Sequence, residues 1–141
     1  MPSVRKPLAA AYHDVLAADV GVWLTTQRPD VAPGQEVRWR TLRELASDRG
    51  KGGGFLPDGA LVLPSGERFA VEVELHDKAD RLALPDGKLR WYRTAGYRGV
   101  WWLVPDRSVA RPLERAIAAA GYTPDDMWVE VLPEEVLAWS A

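Results

Sequence analysis

The chain has 141 residues, of which 47% are hydrophobic and 27% charged, which makes one globular domain with a real core and excludes both disorder and two ordinary domains. It has no cysteine, so disulfide frameworks, thiolate nucleophiles and cysteine-ligated zinc or iron–sulfur centres are excluded, and two histidines leave little room for a histidine-rich metal cage. Eighteen basic residues against twenty acidic give a net charge of -2, which excludes polyanion binding by bulk charge and leaves any nucleic-acid contact to a local patch.

In chain order, the first predicted element is a helix over residues 7–26, where Leu8, Tyr12, Val15, Leu16, Trp23 and Leu24 recur at helical spacing before Pro29. Arg5 and Lys6 precede an alanine-rich stretch that Asp14 and Asp19 interrupt, so no signal peptide is expected. No apolar run approaches the ~18–20 residues of a membrane span, and the expected compartment is the cytoplasm. A turn at Pro33–Gly34 leads into a short strand over residues 37–40, then one or two helical turns over 41–49. The glycine-rich run 50–54 reads as a flexible loop. A hairpin follows, with strands over 59–63 and 69–75 around the turn Pro64–Gly66. Pro85 is placed to start a helix running to about Ala95, stopped by Gly96. The apolar run 100–104 reads as a buried strand, 111–120 as an amphipathic helix ending at Gly121, and 128–132 as a last strand before a short helix opened by Pro133. An antiparallel meander followed by helical crossovers predicts an α/β (α+β) fold, a mixed central sheet flanked by helices.

The hairpin carries the chemistry. A three-residue loop pairs Leu63 with Glu67 and sets Asp58 opposite Glu72. Asp58, Glu72 and Glu74 then share one face beside the small Ala60 and Ala70, while Leu61, Leu63, Phe69, Val71, Val73 and Leu75 form the core face. Three carboxylates within ~5–7 Å repel by about 2–3 kcal/mol per close pair when ionised. A divalent cation reverses that repulsion, and all-oxygen ligation suits Mg2+ or Mn2+. The same alternation also suits an amphipathic strand with one solvated face.

Pro57-Asp58-Gly59 followed by Glu72-Val73-Glu74 resembles the PD-(D/E)xK motif of the restriction-endonuclease-like nucleases, and the order of elements is similar to their core. Lys88 and Tyr92 resemble the Q/K-x-x-x-Y signature of the next helix in several branches. More narrowly, residues 13–132 resemble the nuclease-like part of the replication-relaxation family of actinobacterial mobile elements. The resemblance implies a restriction-endonuclease-like core and metal-dependent DNA phosphodiester hydrolysis in replication or mobilisation of a mobile element. It implies Asp58, Glu72 and Glu74 as catalytic metal ligands and Lys88 as the catalytic lysine. Glu74 stands where the motif usually has lysine, so Lys88, with Lys78 second, is the candidate for a migrated lysine. His13, on the inward stripe of the first helix, is a further candidate metal ligand, and His76 lies close in sequence to the glutamate strand. The expected partners are DNA, a winged-helix or other DNA-binding protein, and a second copy of the chain, with no membrane.

The predicted DNA-binding residues are Arg38, Arg40, Arg43 and Lys51, with Arg49, around the glycine-rich loop, joined by Arg90, Arg93 and Tyr92 from the following helix. Tyr92 also suits packing. Trp39, between two arginines, is a candidate for stacking on a base, whereas Trp91, Trp101, Trp102 and Trp128 read as core. A catalytically silent module of the same fold, binding DNA or protein, is the competing expectation.

Overall fold

A computed structural model describes residues 5–28, 36–50 and 54–139. Helix α1 (Arg5–Gln27) leads to strand β1 (Arg38–Thr41), α2 (Leu42–Arg49) and the hairpin β2 (Gly59–Val62) and β3 (Arg68–Val73). Two four-residue helices, α3 (Ala79–Leu82) and α4 (Lys88–Trp91), precede β4 (Gly99–Val104), α5 (Arg107–Ala119), β5 (Met127–Val131) and α6 (Glu134–Trp139). The sheet order is β1-β2-β3-β4-β5, antiparallel through β3 and parallel from β3 to β5. The chain is therefore α/β with a five-stranded mixed sheet, as the meander-then-crossover order predicted. The predicted turn at Pro33–Gly34 lies outside the described residues, as does Lys51. Among the described residues no helix is long and apolar enough to cross a membrane.

Alternation along the strands divides the interior into two cores. Leu61, Val71, Val73, Trp101 and Leu103 pack beneath Leu16, Val20 and Leu24 of α1 and Val136 of α6. On the opposite face Ala70, Val100, Trp102 and Val104 pack beneath Leu82 of α3, Leu89 of α4 and Val109, Leu113 and Ile117 of α5. Adjacent residues Trp101 and Trp102 thus serve opposite cores. The hairpin face predicted to collect the carboxylates is covered by the α3–α5 layer, so it is not the solvated side of the sheet.

Local signals explain where the helices begin. Thr41 and Glu44 form a reciprocal capping box at the start of α2. The Asp106 carboxylate accepts from the Ser108 and Val109 amides, so α5 starts four residues earlier than predicted and carries Pro112 inside it. The helix predicted over 85–95 is much shorter. Pro85, Asp86 and Gly87 form a turn, and only Lys88–Trp91 is helical, with a separate helical turn at Ala79–Leu82. Gly87 leaves no room for a side chain against the Leu82 carbonyl.

Trp39 is the second correction. Its ring is half-buried, wedged between Gly21 of α1 and Gly59 of β2, where a Cβ on either glycine would overlap it. It is a packing residue and not an exposed base-stacking one. Gly59→Ala is therefore expected to destabilise the fold by about 1–3 kcal/mol through overpacking. Urea unfolding checks this, and Trp39→Leu in the Gly59→Ala background is expected to recover part of the loss.

Candidate active site

The hairpin register brings Asp58 to Glu72 as predicted. Leu63 N–H donates to the Glu67 carbonyl, Gly59 pairs with Val71, and continuing the ladder sets Asp58 against Glu72. The Asp58 amide donates to Glu72 Oε1 at 3.0 Å, and the Val73 amide donates to Asp58 Oδ2 at 2.7 Å. Each carboxylate thus holds the other residue's strand, at the point where β2 begins and β3 ends.

Glu72 is the one buried charged residue of the described chain, 2% exposed. Lys88, at the first turn of α4, reaches it with Nζ 2.6 Å from Oε2 and also donates to the Leu56 carbonyl at 2.7 Å. Burial pushes the Glu72 carboxyl up to about 8, against the opposing pull of the Lys88 ammonium. Glu74 sits on the same rim, pushed up by partial burial, with Lys78 Nζ at 3.7 Å. Lys88 is therefore the lysine that meets the buried glutamate, and Lys78 meets only the outer one.

His13 completes the group from α1. Its Nε2 lies 3.2 Å from the Val73 carbonyl and 3.5 Å from Asp58 Oδ2. The Asp58 carboxylate raises the imidazole to about 9. At neutral pH His13 is thus an imidazolium donating to both acceptors, and a cation would have to displace its proton before drawing on Nε2.

These groups line one cleft of about 700 Å3, with His13, Asp58, Glu72, Glu74, Lys78 and Lys88 in its wall and His76 exposed on the rim. A second cavity of about 310 Å3, lined by Trp39, Leu42 and Arg43, adjoins it across His13 and Asp58. Among the described residues, no three acidic or imidazole side chains stand close enough to hold a metal ion as they are. Instead Lys88 lies on Glu72 and His13 on Asp58. The donor chemistry nevertheless fits a hard divalent cation, because Asp58, Glu72 and Glu74 offer only carboxylate oxygens.

Tyr92 is a third correction. It is 5% exposed, stacked edge-on against Trp102 at 6.2 Å in the second core, and cannot meet DNA. Burial, with the Glu72 carboxyl beside it, raises its hydroxyl well above the ordinary tyrosine range. Of the predicted basic patch, Arg38 and Arg43 are exposed on the β1–α2 edge and Arg90 is exposed on α4. Arg40 is paired with Asp48 and Glu44, and Arg49 donates to the Gly54 carbonyl at 2.8 Å. Phe55, which sequence reasoning passed over, lines the main cleft and is 41% exposed. An aromatic residue between a glycine run and Pro57-Asp58 was the signal for it.

The two shifted groups fix the sign of the pH dependence. His13 and Glu72 both hold their protons more tightly folded than unfolded, with ordinary values of 6.5 and 4.5. The His13 contribution is complete below pH 6.5 and is lost as pH rises through about 9; Glu72 acts in the same direction between 4.5 and about 8. With chelator present, stability is expected to fall by about 3–5 kcal/mol from near pH 6 to pH 9, with the His13 part discounted for solvent screening. Thermal melts across this range check it. His13→Gln is expected to flatten the upper part of the profile.

No family model, curated protein or solved structure matches the chain.

Proposed function

We propose that the protein is a metal-dependent DNA phosphodiesterase with a restriction-endonuclease-like core, acting in the replication or mobilisation of a mobile element. One observation carries the reading: Asp58, Glu72 and Lys88 meet at the end of β3, with Glu74 on the same rim of one cleft. These are the residues that the PD-(D/E)xK resemblance singles out, and the departure at Glu74 is compensated in space by a lysine from the next helix. The element order and the antiparallel-then-parallel sheet support the same core.

In this reading Asp58, Glu72 and Glu74 would hold Mg2+ or Mn2+. Such a cation polarises the phosphate and lowers the pKa of a water molecule bound beside it. Lys88, which now meets Glu72, would donate to the phosphate oxygens as negative charge builds on them. His13 fixes Asp58 and the end of β3 from behind, which makes it a positioning residue. Arg38, Arg43 and Arg90 are the exposed cations available to the DNA backbone. Incubating supercoiled DNA with Mn2+, and in parallel with chelator, tests the reading. Cation-dependent cleavage by the native protein, lost in Asp58→Asn, is expected; cleavage that survives Asp58→Asn removes the site from the account.

The second reading is a silent module that binds DNA or protein. The Lys88–Glu72 and His13–Asp58 pairs favour it, since they satisfy both carboxylates with no metal. Salt-sensitive DNA binding without cleavage in any divalent cation would select it.

A further inference from the structure

We propose that Phe55 is a stacking platform for an unpaired base, so that the cleft takes single-stranded DNA in preference to duplex; this rests on the nucleic-acid reading of the same site.

Six large apolar side chains are exposed among the described residues, and three of them border the candidate site: Phe55 and Leu84 line the main cleft, and Leu42 lines the adjoining cavity. Exposed Arg81 lines the main cleft as well, with Lys78 and Lys88 paired to Glu74 and Glu72 in its wall, so one cation stands beside the apolar lips and two more are held by the carboxylates a metal would occupy. A duplex turns its base faces inward and offers such lips nothing. An unpaired strand offers a π-face and a phosphate at each step, which is the pair of features this cleft complements.

Phe55 is exposed and yet held in place. Its ring stands edge-on to Trp91, with centroids 6.0 Å apart and planes at 73°. Gly54 before it has φ +98 and lies so close to Trp91 that a Cβ would come within 3.0 Å of the indole nitrogen, so glycine suits both the turn and the approach. Arg49 holds the Gly54 carbonyl and Lys88 holds the Leu56 carbonyl, one residue on either side of the phenylalanine. A ring fixed in this way loses little freedom when a base covers it. The Lys88 bond also ties the platform to the lysine assigned to the phosphate.

The test is fluorescence anisotropy of a labelled oligothymidine and of a labelled duplex, with the native protein, Phe55→Ala, Phe55→Leu and Phe55→Trp. A thermal melt of each variant verifies that it is folded. The native protein is expected to bind the single strand more tightly than the duplex. Phe55→Ala is expected to lose about tenfold or more on the single strand and little on the duplex. Phe55→Trp restores binding, and Phe55→Leu, apolar without a π-face, does not. Equal single-strand affinity of native protein and Phe55→Ala, or full recovery by Phe55→Leu, overturns the proposal. Cleavage that depends on Asp58 with no effect of Phe55 removes this inference and leaves the phosphodiesterase. Binding that depends on Phe55 with no cleavage in any divalent cation does the reverse.

Discussion

Glu72→Ala is expected to destabilise the protein by about 3–5 kcal/mol, and Lys88→Met by clearly less. The asymmetry follows from what each substitution leaves behind. Without Glu72, the Lys88 ammonium keeps only the Leu56 carbonyl, in a pocket where its side chain is 15% exposed. Without Lys88, the Glu72 carboxyl loses the cation that draws it down, and burial holds it protonated. It then stays neutral and keeps the Asp58 amide as a donor. Replacing both, as Glu72→Leu with Lys88→Met, removes the two charges together and is expected to recover most of the Glu72→Ala loss. Urea unfolding at neutral pH with chelator measures all four proteins. Two single substitutions of equal and small cost would mean that the pair is open to solvent, contrary to its burial.

Lys88→Met is expected to fold and to slow cation-dependent DNA cleavage by about 10^2–10^4, with KM little changed. The lysine reaches the cleft from α4 and is assigned to charge that develops only as the phosphodiester breaks. Its removal therefore lowers kcat far more than ground-state binding, which loses only the Lys88 hold on the Leu56 carbonyl. Asp58→Asn is expected to lose at least as much. His13→Gln should lose less, because it acts through the placement of Asp58 and the end of β3. Single-turnover cleavage rates separate these effects from DNA affinity.

The hairpin was legible in the sequence because its signals are local. Loop length and strict alternation settle the register, and the register alone brings Asp58 to Glu72. That the sheet is mixed followed from a meander succeeded by helical crossovers, whereas the full strand order comes from the structure. What was illegible depends on segments distant in the chain. The burial of Glu72 comes from the α3–α5 layer closing over its face, and the wedging of Trp39 comes from Gly21 and Gly59 on other elements. Tyr92 was assigned to DNA on motif spacing, while Trp102 of β4 and the second core claim its ring. The helix over 85–95 failed for a local reason, since the Pro85–Gly87 turn leaves only one helical turn before Arg93. Helical start signals cannot be read apart from turn chemistry so close by.

In the proposed function Asp58, Glu72 and Glu74 form a cation site that Lys88 guards in the metal-free protein. Titration of Mn2+, followed by the electron paramagnetic resonance of the free ion, tests it on the native protein, Asp58→Asn and Lys88→Met. Uptake by the native protein and loss of uptake in Asp58→Asn are expected, with uptake by Lys88→Met strengthening as pH rises, because a proton then replaces the ammonium on Glu72. No uptake by either native protein or Lys88→Met at millimolar Mn2+ would contradict it and leave the cluster a closed structural ion-pair network.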